Sequence, residues 1–437
     1  MKTPAASRNP LRKFKASLDD MHARHRERHR PTSLGFVFAD RVDYLDGTRW
    51  DAVAAHGSVF LQRDRLRLLE THGPENITPR YAMLFRGDRP VAILAAQIIT
   101  VTGDRFQAGK PAANLRPSAM LRRVFAPAVK TARNRYKERM LVAGSLLAWG
   151  CHGVAFAPDE DTPALWAGIA EALYRIRRSE RLTGQTDFTM VKDLTAANPG
   201  VESLRRFSYR PLETDPDMVL DLKPAWRTYD DYLAALDAKY RRKVKDQGKK
   251  LTSAGCTVEL LHDLSPHTDR LHELYLAVQS NASVKLVTLR PGYLVALSKL
   301  AGPDFRCTVV KRGDKIIGFV TSLRDGGTAV GYYIGFDRAA AEEGLPVYLR
   351  LLHATIADAI AWRSSRLSLG RTALEPKAGL GARPDPMTVW MRHRVPAMNW
   401  LLRSMLGAVP HGEAPERNPF KTDAPAADKL DTPAATS

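Results

Sequence analysis

With 437 residues, 44% of them hydrophobic, and a formal charge of +19, the chain has the length for roughly two or three packed domains and is too apolar to be disordered. No apolar run approaches the ~20 residues of a membrane-spanning helix, and the N-terminal stretch has charge without an apolar segment, so neither a membrane span nor a secretory signal is expected. Three widely separated cysteines, Cys151, Cys256 and Cys307, suit a reducing, cytoplasmic setting and lack the paired spacing of a zinc ligand set, so no metal is expected.

The positive charge is concentrated. Met1 to Arg30 contributes +6, Arg116 to Arg139 +7 and Lys239 to Lys250 +6. Such clusters attract phosphate-rich ligands, from nucleotides to tRNA. No helix-turn-helix, zinc-finger or RNA-recognition signature accompanies them, which argues against sequence-specific DNA binding.

In chain order, residues 1–32, with the tract HARHRERHR, read as a basic disordered tail. From Ser33 the pattern gives a strand in SLGFVFADRVDYL and a helix around SVFLQRDRLRLLE. A hairpin follows, centred on RGDRPVAIL at Arg86 to Leu94. Beyond the second basic stretch come a strand-like MLVAGSLLAW, a helix over Leu165 to Arg178, a strand near DFTMVKD, a short helix VESLRRF and an extended DMVLDL. The order is that of a mixed sheet with helices on its faces.

The hairpin phrase returns as RGDKIIGFV at Arg312 to Val320, 226 positions on, and the order of elements around it returns as well. Strand CTVELLHDL precedes helical stretches HTDRLHELYLAVQSNA and PGYLVALSKLA; after the hairpin come strand TAVGYYIGF, a helix, and strand RLSLG. In that helix Tyr348, Leu351, Leu352, Ile356, Ala359 and Ile360 recur at helical spacing, and Pro346 stands near its first turn, where a missing N–H costs least. The chain therefore contains a duplicated unit, expected as two separate mixed sheets over residues 33–223 and 255–406. Residues 224–254 read as one amphipathic basic helical arm between them, and 407–437 as a disordered tail.

Two successive units of strand, helices, three-strand meander, helix and strand resemble tandem GNAT-type acyltransferase domains. The phrases YDDYLAALDAKYRRKVKDQGKKL, GYYIGFD and SRLSLGRTALEPKAGLGA resemble the bacterial FemAB/FemX-type branch, often described as peptidoglycan-biosynthesis-like. The resemblance implies an α/β fold of two tandem GNAT-like domains and acyl transfer from acyl-CoA or a similar carrier to an amine acceptor. It implies as an alternative a transferase using aminoacyl-tRNA on a cell-wall precursor. A binding protein that keeps the fold as a scaffold is the non-enzymatic alternative. Lys377 matches the lysine of the family's substrate-facing turn. The glycine-rich pyrophosphate loop of CoA users is absent: the corresponding stretches read FDRAAAEEGLPVYLR and, in the first unit, APDEDTPALW, with Glu342 and Glu343 set against an incoming pyrophosphate.

Acyl transfer to an amine needs a positioned donor, an outlet for a proton and a partner for the developing oxyanion. The second unit supplies candidates for each, and the first is expected to be a degenerate supporting copy. Tyr332 and Tyr333 are expected to alternate across the third strand, one of them relaying a proton, and Asp337 closes that strand where it can orient the amine. In the loop after SLG, Arg371 is assigned to anion binding, Glu375 to a basic role and Lys377 to the oxyanion. Asn281 and Ser283 are expected to face the cleft, and Arg241 and Arg242 to meet tRNA or a nucleotide from the arm. Cys151 and His152, as neighbours in a strand, point to opposite faces and form no nucleophile pair. His353 and His393 read as satisfied surface or core residues.

Overall fold

In the computed structural model of the chain, residues 30–102, 137–280, 285–395, 398–399 and 417–421 are described, together with residues 19, 23 and 26. Both RGD phrases form tight hairpins. β2 (Ile77–Arg86) and β3 (Arg89–Thr102) join through Gly87-Asp88, with Arg86 opposite Arg89. β9 (Phe305–Arg312) and β10 (Lys315–Asp325) join through Gly313-Asp314, with Arg312 opposite Lys315. The two glycines take φ of +60° and +58°, a conformation that glycine enters without the Cβ penalty.

The first unit adds β1 (Gly35–Ala39), β4 (Lys137–Ala143), β5 (Val154–Phe156) and β6 (Phe188–Leu194). The second adds β8 (Cys256–Leu260), β11 (Thr328–Phe336) and β12 (Arg366–Ser368). β4 runs parallel to β6, and β11 parallel to β12. Instead of two separate sheets, the strands among the described residues, with β7 (Arg210–Asp221) and β13 (Arg383–His393), form one 13-stranded sheet, ordered β1-β2-β3-β4-β6-β13-β7-β12-β11-β10-β9-β8, with β5 paired to β3. The join is an exchange. β7, from the first half of the sequence, lies antiparallel to β12, while β13, from the end of the second, lies antiparallel to β6. β7 and β13 then pair with each other, which removes the sheet edge that each unit would otherwise expose.

The units differ at one matched position. In the second, Tyr332 and Tyr333 stand together opposite Thr321, since Val320 pairs with Ile334 and Ser322 with Gly331; this is a β-bulge. Ala95 follows Gly87 at the distance at which Thr321 follows Gly313. Opposite Ala95 the first unit carries a whole excursion, residues 144–153, between β4 and β5. Ala95 holds both ends: its carbonyl accepts from Gly144 N at 3.2 Å, and its N–H donates to Gly153 O at 2.8 Å.

α1 (Gly47–Ala54) and α2 (Arg63–His72) cover the first unit near its edge, and α3 (Thr162–Ser179) buries Leu165, Trp166, Ile169, Leu173 and Ile176 against the sheet. The expected arm is two helices, α4 (Tyr229–Ala235) and α5 (Ala238–Ser253). It breaks at Leu236, which is extended and bridges to Phe420; Asp237 N donates to Pro419 O at 2.9 Å. Arg417 to Lys421, within the expected disordered tail, are thus laid against the second unit. α6 (Thr268–Gln279) and α7 (Tyr293–Ala301) pack on one face of that unit. After β11 come α8 (Arg338–Glu342) and α9 (Val347–Ala361), and after β12 the short α10 (Leu374–Ala378). α9 buries Leu351, Leu352, Ile356, Ala359 and Ile360, the leucines and isoleucines each contributing about 1.5–3 kcal/mol of apolar burial; Pro346 is its N-cap.

Candidate functional site

β11 and β12 are matched only from Thr328/Arg366 to Val330/Ser368. β11 then runs on to Phe336, while the other chain turns away at Gly370, whose φ is +81°. Between the parting strands opens a cleft of 560 Å3, walled by Ile334, Phe336, Tyr348, Leu352 and Leu369 and bordered by Arg371, Lys377 and, from the excursion of the first unit, Trp149. An apolar chamber with a few convergent polar groups is the form of a small-molecule site.

Lys377 lies on α10 rather than in an irregular turn. It is buried, and its Nζ donates to Gly370 O at 2.9 Å. Burial pulls its ammonium down to about 8, against the opposing pull of Asp217. Asp217, on β7, accepts from Ser368 Oγ at 2.5 Å and Gly370 N at 2.8 Å; burial raises its carboxyl to about 6 in spite of these bonds. Trp149 Nε1 donates to Ser368 Oγ at 2.6 Å, so one run of hydrogen bonds links the excursion, β12, β7 and the turn that Lys377 holds.

Arg371 reaches across the units to Asp193 Oδ1 at 2.7 Å. The Asp193 side chain is fully buried, at a φ of +52°, and also meets the Lys192 ammonium and Gly150 N, the latter at 3.1 Å. Lys192 Nζ in turn donates to Ala148 O at 2.7 Å. The strained Asp193 thus ties the excursion down and orients Arg371 at the mouth of the cleft.

Other assignments are corrected. The bulge defeats alternation, so the rings of Tyr332 and Tyr333 lie side by side on one face, centroids 4.5 Å apart. Tyr332 borders the cleft, with its hydroxyl 3.2 Å from that of Tyr293, while Tyr333 donates to Leu147 O at 3.0 Å; burial raises both phenols well above their ordinary range, which keeps them protonated donors. Asp337 caps α8 through Ala339 N and meets Arg270 and Lys315, away from the cleft. Glu375 faces outward to Arg417. Arg241 is spent on the carbonyls of Ala234 and Leu236, Arg242 is exposed, and Asn281 and Ser283 lie outside the described residues. Cys151 and His152 sit in the excursion, not in a strand; burial pushes the thiol up to about 12 and the imidazole down. His353 bonds Tyr229 Oη at 2.9 Å, and burial lowers its pKa to about 4.

At the approach to α9, Glu343 ends α8 and pairs with Arg312 at 2.7 Å, so its charge is met by the hairpin. The Lys250 ammonium, from the end of α5, lies beside Gly344, whose φ is +73°. A cation stands where the glycine loop was missing. Among the described residues no group of three or more His, Cys, Asp or Glu can hold a metal, and no helix is long and apolar enough to cross a membrane.

Sequence reading missed Trp149, Asp193 and Asp217. The glycines at 144, 150 and 153 are a signal that the strand MLVAGSLLAW is interrupted; nothing local marks the two aspartates, which gain partners only through the strand exchange.

Residues 238–378 match the family model described as an acetyltransferase (GNAT) domain. That match takes in α5 and most of the second unit, and the first unit repeats the order of strands around its own hairpin. Among solved structures, the chain is similar to a tandem GNAT protein from the clavulanic acid biosynthesis pathway (12% identity, TM-score 0.46, covering 83% of this chain and 99% of that one). It is similar also to FemX (10%, 0.47, 83% and 98%) and to a GCN5-related N-acetyltransferase from Sphaerobacter thermophilus (11%, 0.38, 83% and 96%). Among curated proteins, no sequence matches this chain.

Proposed function

We propose that the chain is an N-acyltransferase whose second unit holds the acyl donor and the amine acceptor, with the first unit as a supporting copy. The observation that carries this reading is the parting of β11 from β12 around an apolar cleft with Lys377 and Arg371 at its border. An acyl-CoA supplies an activated carbonyl when bound. Lys250 and the first turn of α9 would hold its phosphates, and the apolar walls its acyl chain. Lys377 keeps one N–H on Gly370 O and has others to offer to negative charge developing on a carbonyl oxygen; the low-dielectric surroundings strengthen that donation. Arg371, held by Asp193, binds an anionic group at the mouth.

Calorimetric titration with acetyl-CoA and longer acyl-CoAs tests the donor, and mass spectrometry of an amine panel incubated with the bound one tests transfer. Saturable binding that Lys250→Met weakens supports the reading. Failure to bind any acyl-CoA turns the choice to an aminoacyl-tRNA donor, which the exposed Lys/Arg face of α5 favours. Binding without turnover on any amine would leave a scaffold that only binds.

A further inference from the structure

At the far end of α3 from its Asp161 cap, the first unit has a polar recess of 290 Å3 lined by Tyr174, Arg177, Arg178, Arg181, Gln185 and Arg394. We propose that this recess is a binding site for the phosphate group of a phosphorylated ligand, separate from the cleft of the second unit. Four guanidiniums converge on one concavity. The acids around it are already engaged: Glu180 takes Arg80 at 2.6 Å and Arg139 at 2.8 Å, Glu171 takes Arg175 at 2.6 Å, and Asp187 takes Arg394 at 2.7 Å. Arg177, Arg178 and Arg181 have no carboxylate partner among the described residues. Arg178 reaches only the Tyr174 hydroxyl at 3.4 Å, and the Arg177 guanidinium lies 5.6 Å from the centre of the same ring.

Arginines in the last turn of a helix complement its dipole, which accounts for Arg177 and Arg178 in part. It does not account for Arg181 and Arg394, which stand beyond the helix and add like charge to the same recess. The crowding is costly: burial and the nearby Arg392 both act to lower the pKa of Arg177. A ligand with several anionic oxygens relieves that repulsion. A phosphate presents more acceptor oxygens than a carboxylate to a set of forked donors, and arginine is the side chain that matches it.

Two sources share this chemistry, a free phosphorylated small molecule and the backbone of a nucleic acid. The test uses the full chain. Calorimetry with inorganic pyrophosphate and with ATP forms one arm, and fluorescence anisotropy with a single-stranded RNA oligomer across a salt series forms the other. The variants are Arg178→Gln with Arg181→Gln, both on exposed positions, and separately Arg177→Gln. Arg175→Gln on the same helix and Arg49→Gln on α1 serve as controls. The double variant should weaken pyrophosphate binding about tenfold or more, with the controls within about twofold. For a backbone source it should also lower the slope of log K against log salt by about two, one for each arginine that no longer meets a phosphate. A response to pyrophosphate or ATP alone assigns the site to a free ligand. If neither arm separates the double variant and Arg177→Gln from the wild type, or if Arg49→Gln reproduces their loss, the recess is not the site.

Discussion

The two units carry the same hairpin and the same parallel central pair joined through the same kind of helix, yet they enclose different space: the second parts its central strands around a cleft of 560 Å3, and beside Ala95 in the first the pocket holds about 30 Å3. The difference lies opposite Ala95 and Thr321, matched positions in the two hairpins. In the second unit a two-residue bulge bends β11, and the strand continues past its parallel partner with an open side. In the first, residues 144–153 leave the sheet at that point, anchored by Lys192, Asp193 and Ala95, and end with Trp149 against the cleft of the neighbour. The second unit provides the chamber, and the first provides part of its wall through Trp149. One lengthened strand connection is enough to give two similarly ordered units different surroundings at a matched position.

The sharpest test of this asymmetry is Lys377→Met. If the open splay is the reaction centre, the rate of acyl transfer should fall by ~10² to 10³, about 2.7–4 kcal/mol, with thermal stability kept or raised. The pH profile should agree. The ammonium is held at about 8 when folded, so rate should decline as pH rises through about 8. Stability should move the other way. The unfolded chain keeps the proton up to its ordinary, higher pKa, so the cost of burying the charge is relieved as pH climbs from about 8 toward that value. A rate that persists undiminished above pH 9 in the wild type removes Lys377 from this role.

Trp149→Ala tests whether the first unit shapes the cleft of the second. The half-buried ring and its bond to Ser368 Oγ are lost together, which should cost about 2 kcal/mol in denaturant unfolding and shift acyl-chain preference toward longer donors. An unchanged preference would make the excursion structural filling only. Arg371→Gln should have a smaller effect on stability, about 1–2 kcal/mol, because Asp193 keeps Lys192 and Gly150 N when the guanidinium is gone. It should raise the KM for an anionic substrate more than it lowers kcat.

The mildest test compares Gly87→Ala with Gly313→Ala. Added Cβ atoms meet nothing within 4 Å at either site, so only the positive φ opposes the change, and both variants should lose about 1 kcal/mol. Losses that differ by more than about 1 kcal/mol would show that the two hairpins are not equivalent in the fold.

Local pattern carried much of this protein. The Gly-Asp turns, the alternation on either side of them and the 3.6-residue spacing of Leu351, Leu352, Ile356 and Ile360 are short-range signals. They signal a hairpin or a helix from neighbouring residues alone. They also showed the repeat, and the resemblance built on it drew attention to Lys377, which stands on α10 and lines the cleft. What they could not show is which strand lies beside which. β7 and β13 read as ordinary extended segments, and their exchange between units depends on closing two open sheet edges against each other, a property of the assembled sheet. From that exchange follow the partners of Asp217, and from the excursion those of Asp193 and Trp149, all separated from their contacts by long stretches of chain. The orientation of Tyr332 and Tyr333 was decided in the same way: a strand alternates by itself, but a bulge exists only relative to a neighbouring strand, and here Thr321 on β10 supplies it.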